Sequence, residues 1–251
     1  MPGAMIRKVP AHIGLAILTS SLVLVSAVRA DSFSACSRAN TAFEKVDLCS
    51  VVILHSRQAQ QLERAYLRRG NAYLELSRFA DAVNDFDSLI RIDPKIAGYY
   101  DNRQRALKSL GRFGEALNDA NMTIRLAPTY SFGYRSRGNV SDAMGRYDDA
   151  IADYTKAISI ETRDVGVLID RGKTFSKTGR DREAVADFSH AIDINGNAMV
   201  AFRERGLVYK KLGDFAASMA DLSWFTRSAP TDQEVVSAYR GNAIGPVRYR
   251  Y

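Results

Sequence analysis

Charged side chains that could either bind a ligand or pair with each other recur along this chain of 251 residues. Five times, at intervals of 34 residues, an arginine stands sixteen positions before an aspartate. The pairs are Arg69 and Asp85, Arg103 and Asp119, Arg137 and Asp153, Arg171 and Asp187, and Arg205 and Asp221. An arginine guanidinium can hold a carboxylate through two parallel hydrogen bonds. The pattern therefore allows either an ion pair inside each unit or a ladder of cations offered to a ligand.

The elements that must position these residues follow from the period. A period without insertion or deletion is typical of stacked-repeat proteins, in which each unit buries its apolar face against its neighbours. Each unit has two apolar stretches at helical spacing, separated by a breaker such as Gly145-Arg146. Arg137 and Asp153 each lie eight residues from Gly145, so they stand level across a helical hairpin, each roughly 12 Å from its turn. We therefore predict an ion pair that clamps the two helices of every unit.

The residues around the arginines repeat with the same period. Glycine follows four of the five arginines, a bulky residue precedes each by three positions, and small and larger apolar residues flank the aspartates. In order of type they are Gly70, Gly138, Gly172, Gly206; Tyr66, Tyr100, Tyr134, Leu168, Phe202; Ala82, Ala116, Ala150, Ala184, Ser218; and Phe86, Ala120, Tyr154, Phe188, Leu222. This pattern resembles the tetratricopeptide repeat (TPR), a helix–turn–helix of 34 residues. The second unit departs from it at Gln104, where glycine is expected.

The resemblance implies an all-α TPR solenoid whose helix–turn–helix repeats form a right-handed superhelical crescent. Five repeats are predicted within residues 63–232, namely 63–96, 97–130, 131–164, 165–198 and 199–232. Residues 31–62 are expected to form a degenerate N-terminal capping hairpin, with Phe43 and Val51–Leu54 as its apolar face. Residues 233–251 are expected to form a C-terminal capping helix, roughly Gln233–Arg240, and a tail.

Residues 1–30 have the features of a secretory signal peptide. Arg7 and Lys8 precede the apolar run Ile13–Val25, which is shorter than the roughly 20 residues needed to span a membrane. We predict cleavage after Ala30, with cleavage after Ala27 as the alternative. The mature chain is then expected not to insert stably into a membrane. We expect it in the bacterial periplasm or outside the cell. Loss of the three positive charges of the leader lowers the formal net charge from +7 to +4 (7 − 3 = 4), which does not indicate a nucleic-acid partner.

Cys36 and Cys49 are the two cysteines of the chain. In an exported protein an even number of cysteines predicts a disulfide, and a loop of this size would stabilise the fold by about 3 kcal/mol in the chain-entropy picture. A redox or metal-binding pair of the CxxC type does not fit the spacing. A cysteine pair ahead of repeats in which glycine follows arginine resembles the exported TPR proteins of bacteria.

The sequence contains no catalytic motif and no cluster of metal ligands, so neither an enzyme nor a cofactor is expected. In TPR proteins the first helices line a concave groove that commonly holds a peptide or a helix of a partner. The resemblance assigns to this groove Arg64, Asn71, Arg105, Lys108, Phe132, Arg135, Asn139, Lys173, Arg203 and Lys210. The set is basic and includes asparagines suited to a peptide backbone, so an acidic peptide or protein is one hypothesis for the ligand. The alternative, which the sequence supports equally, is that these side chains contact only solvent and bind no ligand.

The carboxylate clamp of chaperone-type TPR proteins does not match this groove. Arg135 and Asn139 begin the clamp, but Asp170, Val200 and Glu204 occupy its remaining places. The sequence therefore favours an exported, non-enzymatic scaffold that binds a peptide or partner protein in the concave groove. The alternative is an accessory module that binds an anionic envelope polymer through the basic groove. Nothing in the sequence specifies an oligomeric state.

Overall fold

Twelve α-helices and no strands occur among residues 32–228, the part of the chain that the computed structural model describes. They are α1 (32–38), α2 (Ala42–His55), α3 (Ala59–Glu75), α4 (Phe79–Ile92), α5 (Ala97–Ser109), α6 (Phe113–Leu126), α7 (Ser131–Ala143), α8 (Tyr147–Ile160), α9 (Val165–Lys177), α10 (Asp181–Ile194), α11 (Met199–Leu212) and α12 (Phe215–Ser228). The signal peptide and the C-terminal capping helix predicted above lie outside the described residues. Within these residues, no helix is both long and apolar enough to cross a membrane.

The helices form hairpins that stack in chain order. From α3 to α12, each odd-numbered helix packs on the even-numbered helix that follows it, and each hairpin packs on the next one. The first helices α5, α7, α9 and α11 also contact one another in succession, whereas no comparable packing joins the second helices within residues 32–228. The first helices therefore lie on the inner side of the stack. The all-α solenoid of helical hairpins is confirmed.

A left-handed residue ends the first helix of each hairpin. Gly111, Gly145, Gly179 and Gly213 have φ between 72° and 83°, and Ser77 takes the same place in the first repeat with φ of 56°. Glycine adopts this conformation without steric cost, whereas a residue with a Cβ loses roughly 1–2 kcal/mol there. The period of these residues therefore places each hairpin turn at the same point of the repeat.

Glycine in the first helix lets the two helices of a hairpin approach closely. A Cβ added to Gly172 would lie 2.7 Å from the Phe188 ring, and the same close approach recurs in the first, third and fifth repeats. In the second repeat Gln104 replaces the glycine and Ala120 replaces the large residue that faces it. Gln104 is fully buried and donates from Nε2 to the carbonyl oxygen of Ser136, 3.3 Å away. The two exchanges thus compensate each other in volume across one helix–helix contact.

Each of the five arginines makes the ion pair expected inside its own hairpin. Nε and Nη2 donate to the two carboxylate oxygens of the aspartate sixteen residues later, at 2.6–2.9 Å. The five aspartates are only 2–6% exposed. Because a buried carboxylate is costly unless it is paired, each arginine is needed wherever its aspartate is present.

The third nitrogen of each guanidinium reaches the preceding hairpin. Nη1 of the last four arginines donates to a side-chain oxygen sixteen residues earlier, at 2.5–2.9 Å, and Nη1 of Arg69 donates to Ser50 at 2.8 Å. The four earlier acceptors are Asp87, Asn121, Thr155 and Ser189. Each arginine therefore joins three helices and couples one repeat to the next, which the sixteen-residue spacing to aspartate alone does not predict.

A cysteine pair closes the N-terminal end of the stack. The Sγ atoms of Cys36 and Cys49 lie 2.09 Å apart, at disulfide-bond distance, and both residues are fully buried. Arg68 on α3 donates to the carbonyl oxygens of Cys36 (3.0 Å) and Ala39 (2.8 Å). The turn between α1 and α2 is thereby attached to the first repeat.

The prediction of the apolar face of the N-terminal hairpin was wrong for most of the residues assigned to it. Phe43, Val51 and Leu54 are 68%, 39% and 69% exposed, whereas Val52 is buried. Cys49 and Val52, three residues apart, share the face of α2 that packs on α3, because residues three apart lie on one side of a helix. Phe43, Val51 and Leu54 lie away from that contact.

Candidate functional site

Three adjoining clefts open along the first helices, and we call this surface the first-helix groove. The polar cleft, about 530 Å³, lies between α5 and α7, and the apolar cleft, about 350 Å³, lies between α9 and α11. A middle cleft of about 520 Å³ separates them and includes Phe132, Glu161, Arg163 and Ile194. Arg135 lines all three clefts.

The structure brings some of the groove residues expected from the sequence together and leaves others apart. Arg105, Lys108, Phe132, Arg135 and Asn139 all line the polar cleft, and Lys173 lines the apolar cleft. Four further residues are not among those that line the three clefts, namely Arg64, Asn71, Arg203 and Lys210. The expected set is therefore concentrated in the middle of the stack, from the second to the fourth repeat.

Arg135 lies where the three clefts meet, and its contacts hold it in that position. Its Nε donates to Asp170 Oδ2 at 2.8 Å, and its Nη1 lies 3.9 Å from Asp164 Oδ1. A Cβ added to Gly166 would lie 2.6 Å from its Nη2 atom, so the absence of a side chain at Gly166 gives the guanidinium its place. Arg135 is therefore already paired with Asp170 of the following repeat and also lies near Asp164, at the end of its own repeat.

Other cations of the first helices also pair with carboxylates, so this side of the stack is less basic than its sequence indicates. Arg203 contacts Glu204 at 2.6 Å, and Lys173 lies 4.0 Å from the same carboxylate. Lys177 contacts Asp142 at 2.5 Å. These carboxylates neutralise much of the positive charge on the first helices of the third to fifth repeats. The prediction of a basic groove from the sequence considered the cations without these partners.

Three of the groove pairs join neighbouring first helices at a separation of 35 residues, one period plus one. This spacing is the signal that could have predicted them, because it places two side chains opposite each other across adjacent repeats. Three such contacts are Asp101 with Ser136, Arg135 with Asp170, and Asp142 with Lys177.

The polar cleft contains several groups whose hydrogen bonds fix their orientation. Asp101 accepts from the Ser136 hydroxyl at 2.6 Å, and burial raises the pKa of its carboxyl group. The Tyr154 hydroxyl donates to Asn139 Oδ1 at 2.8 Å, and burial raises the pKa of Tyr154. Lys108 is half-buried, and burial lowers the pKa of its ammonium group. The cleft is thus a preformed polar site with one partly desolvated cation.

Aromatic and aliphatic side chains border these polar groups. The rings of Tyr130 and Phe132 stack with centroids 5.3 Å apart at the edge of the polar cleft, and both are about two-fifths exposed or more. The apolar cleft is lined by four large apolar side chains and Ala198, with two amides and the charged residues Arg135, Asp170 and Lys173 among them. Its large apolar residues are Val165, Ile169, Met199 and Val200, and its amides are Asn195 and Asn197. The groove can therefore contact both polar and apolar parts of one ligand.

Neither a group of metal ligands nor a histidine lies in the three clefts of the described residues. Within residues 32–228, no group of three or more His, Cys, Asp or Glu side chains could hold a metal ion. His55 and His190 are both exposed and lie outside the three clefts.

The fold is that of a helical-repeat scaffold whose first helices border the three clefts. Residues 63–96 and 136–164 match the family model of the tetratricopeptide repeat. These two segments are therefore tetratricopeptide repeats, and proteins built from such repeats are typically non-enzymatic and bind other proteins or peptides. No curated protein matches the chain in sequence.

Solved structures of TPR proteins share this fold at low sequence identity. PilF of Pseudomonas aeruginosa has a TM-score of 0.62 at 14% identity, over 72% of this chain and 83% of PilF. TTC0263, a TPR protein of Thermus thermophilus, has a TM-score of 0.60 at 19% identity, over 71% and 97% of the two chains. YrrB, described as a TPR protein with an unusual peptide-binding site, has a TM-score of 0.52 at 15% identity, over 76% and 97%. At these identities the likeness extends to the fold alone.

Proposed function

We propose that this protein is an exported scaffold that binds a peptide, or an extended segment of a partner protein, along the first-helix groove. The observation that carries the proposal is the composition of that groove, in which a polar cleft and an apolar cleft adjoin on one face. Peptides present backbone amides, charges and apolar side chains in close succession, so such a mixed surface fits them. YrrB, with the same fold, carries a peptide-binding site by its own description, which supports the choice.

The balance of charge favours a peptide over an anionic envelope polymer or a nucleic acid. A polyanion is held by a run of cations whose charge is not already compensated. Arg135, Lys173, Lys177 and Arg203 each contact a carboxylate in the groove. The remaining cations of the polar cleft suit one acidic side chain better than a repeating anion.

Crosslinking from the groove tests this function directly. The photoreactive residue p-benzoylphenylalanine would replace Phe132, which is 46% exposed, and in a matched control it would replace exposed Lys156 on the second helix α8. We expect a discrete protein adduct in intact cells from position 132 and not from position 156. An adduct from position 156 alone would move the interface to the outer helices, and a protease-resistant polymer adduct would favour the polysaccharide alternative.

Export has its own test, because it rests on residues 1–30. We expect the mature protein to be released with the periplasmic fraction or into the medium and to begin at Asp31, or at Val28 if cleavage follows Ala27. Mass spectrometry of the N-terminal peptide distinguishes the two. A full-length protein recovered with the cytoplasmic fraction would contradict export without affecting the binding proposal.

A further inference from the structure

Lys108 differs from the other inward-facing cations of the middle repeats. It lies half-buried in the polar cleft, and its side chain makes no hydrogen bond or ion pair with any of residues 32–228. Burial lowers the pKa of its ammonium group because the charged form loses contact with water. A partly desolvated cation without a carboxylate is unfavourable unless a ligand supplies one.

The repeat period explains why Lys108 lacks a partner. Arg135 and Lys177 face carboxylates at a separation of 35 residues, but the residue 35 positions after Lys108 is Ala143. The charged groups around Lys108 are two cations, Arg105 and Arg135, and two carboxylates, of Asp142 and Asp170. Lys177 and Arg135 already occupy those two carboxylates. Among residues 32–228, the half-buried charge of Lys108 therefore has no carboxylate of its own to pair with.

Other groups in the same cleft are also incompletely matched. Asn139 Oδ1 accepts from the Tyr154 hydroxyl, which leaves the Nδ2 group of Asn139 to donate elsewhere. Gln104 Oε1, on the wall of the cleft, is buried and accepts no hydrogen bond within the described residues. A peptide supplies both an acceptor carbonyl and a donor N–H at every residue, so these groups point to a peptide as the ligand.

We propose that the polar cleft is a subsite for one aspartate or glutamate side chain of a bound peptide, with Lys108 as its cation. Asn139 donates to a neighbouring backbone carbonyl of the same peptide, and Arg105 adds positive charge at the rim. The subsite differs from the chaperone-type carboxylate clamp, which this groove does not match. The inference rests on the proposed function, since it names the chemistry that one part of the groove recognises.

The distance between the clefts predicts the spacing of the ligand. Neighbouring helices pack about 10 Å apart, and the polar and apolar clefts are two first helices apart, so their centres are separated by about 20 Å. An extended chain advances about 3.3 Å per residue, which places about six residues between the two side chains. We therefore expect an acidic residue about six positions from a large aliphatic residue that enters between Ile169 and Val200.

Selection from a display library of random twelve-residue peptides tests the subsite. Wild-type protein is expected to enrich peptides with an acidic residue about six positions from an aliphatic one. Lys108→Met is expected to lose the acidic preference and keep the aliphatic one, whereas the control Lys156→Met, on the outer face, is expected to keep both. Lys108→Arg is expected to restore the acidic preference, and melting curves check that every variant is folded.

Binding of one enriched peptide, measured by fluorescence polarisation, completes the test. Exchange of its acidic residue for glutamine is expected to weaken binding to wild-type protein about tenfold or more and to leave binding to Lys108→Met unchanged. An acidic preference that survives in Lys108→Met, or enriched peptides without an acidic residue, would overturn the subsite while peptide binding stands. No enrichment by wild-type protein would overturn the proposed function itself.

Discussion

Removal of one arginine of the repeated ion pairs should destabilise the protein far more than loss of an exposed ion pair. Arg171 donates to both oxygens of Asp187 at 2.8 Å and to Thr155 at 2.9 Å, and the Asp187 side chain is 8% exposed. In Arg171→Leu that carboxylate stays buried without a cation, a change that costs about 3–5 kcal/mol. Because the arginine is itself 18% exposed and water can reach the site, we expect a loss at the lower end of that range, about 3 kcal/mol.

Urea unfolding followed by circular dichroism measures this loss, and a second variant identifies its cause. In Arg171→Leu/Asp187→Leu no charge remains buried, so we expect recovery of at least about 2 kcal/mol relative to the single variant. The control is Arg112→Leu, which removes an exposed pair with Glu115 and should leave the midpoint nearly unchanged. A single variant within about 1 kcal/mol of wild type, or a double variant less stable than the single one, would refute the unpaired-charge explanation.

Three further changes test the hairpin geometry and the N-terminal closure by thermal or urea unfolding. Gly172→Ala places a Cβ 2.7 Å from the facing ring and should destabilise the protein by about 1–3 kcal/mol, whereas Gly114→Ala meets nothing within 4 Å and should not. Ser77→Gly removes a Cβ from a residue in the left-handed conformation and should stabilise the protein by about 1 kcal/mol. A loss of stability would contradict this. Joint replacement of Cys36 and Cys49 by serine should cost about 3 kcal/mol, and an unchanged melting curve would show that the bridge is not needed.

The period of the sequence predicted the helical hairpins because the fold depends on features that recur in every repeat. The Arg171–Asp187 pair is visible in sequence since both members and their spacing are repeated five times. The contact of the same arginine with Thr155 was missed. The acceptor varies in residue type from one repeat to the next, although in the last four repeats its position, sixteen residues before the arginine, does not.

Features confined to one repeat were predicted less well, because their meaning depends on a second residue that is distant in sequence. Gln104 and Ala120 look like two unrelated departures, and only the close glycine–ring contact of the other repeats shows that they compensate each other in volume. Likewise, Arg135 counts as a free positive charge in sequence but contacts Asp170 in the folded groove. Lys108 becomes distinctive only after such partners have been assigned.

The arginines of the repeated ion pairs also restrain the positions of the hairpins that border the first-helix groove. Each guanidinium connects its own hairpin with the one before it, and the clefts lie between the first helices of successive hairpins. Restraint of one hairpin relative to the next therefore fixes the width of each cleft. Preorganised clefts bind with a smaller entropic penalty than mobile ones.

Hydrogen–deuterium exchange of the protein with an enriched peptide shows directly whether a ligand lies along the first-helix groove. We expect added protection in α5, α7, α9 and α11, greatest near Lys108 and Asn139, with little change in the second helices. Protection confined to α6, α8 and α10, or to the exposed face of α2 around Phe43 and Leu54, would contradict it.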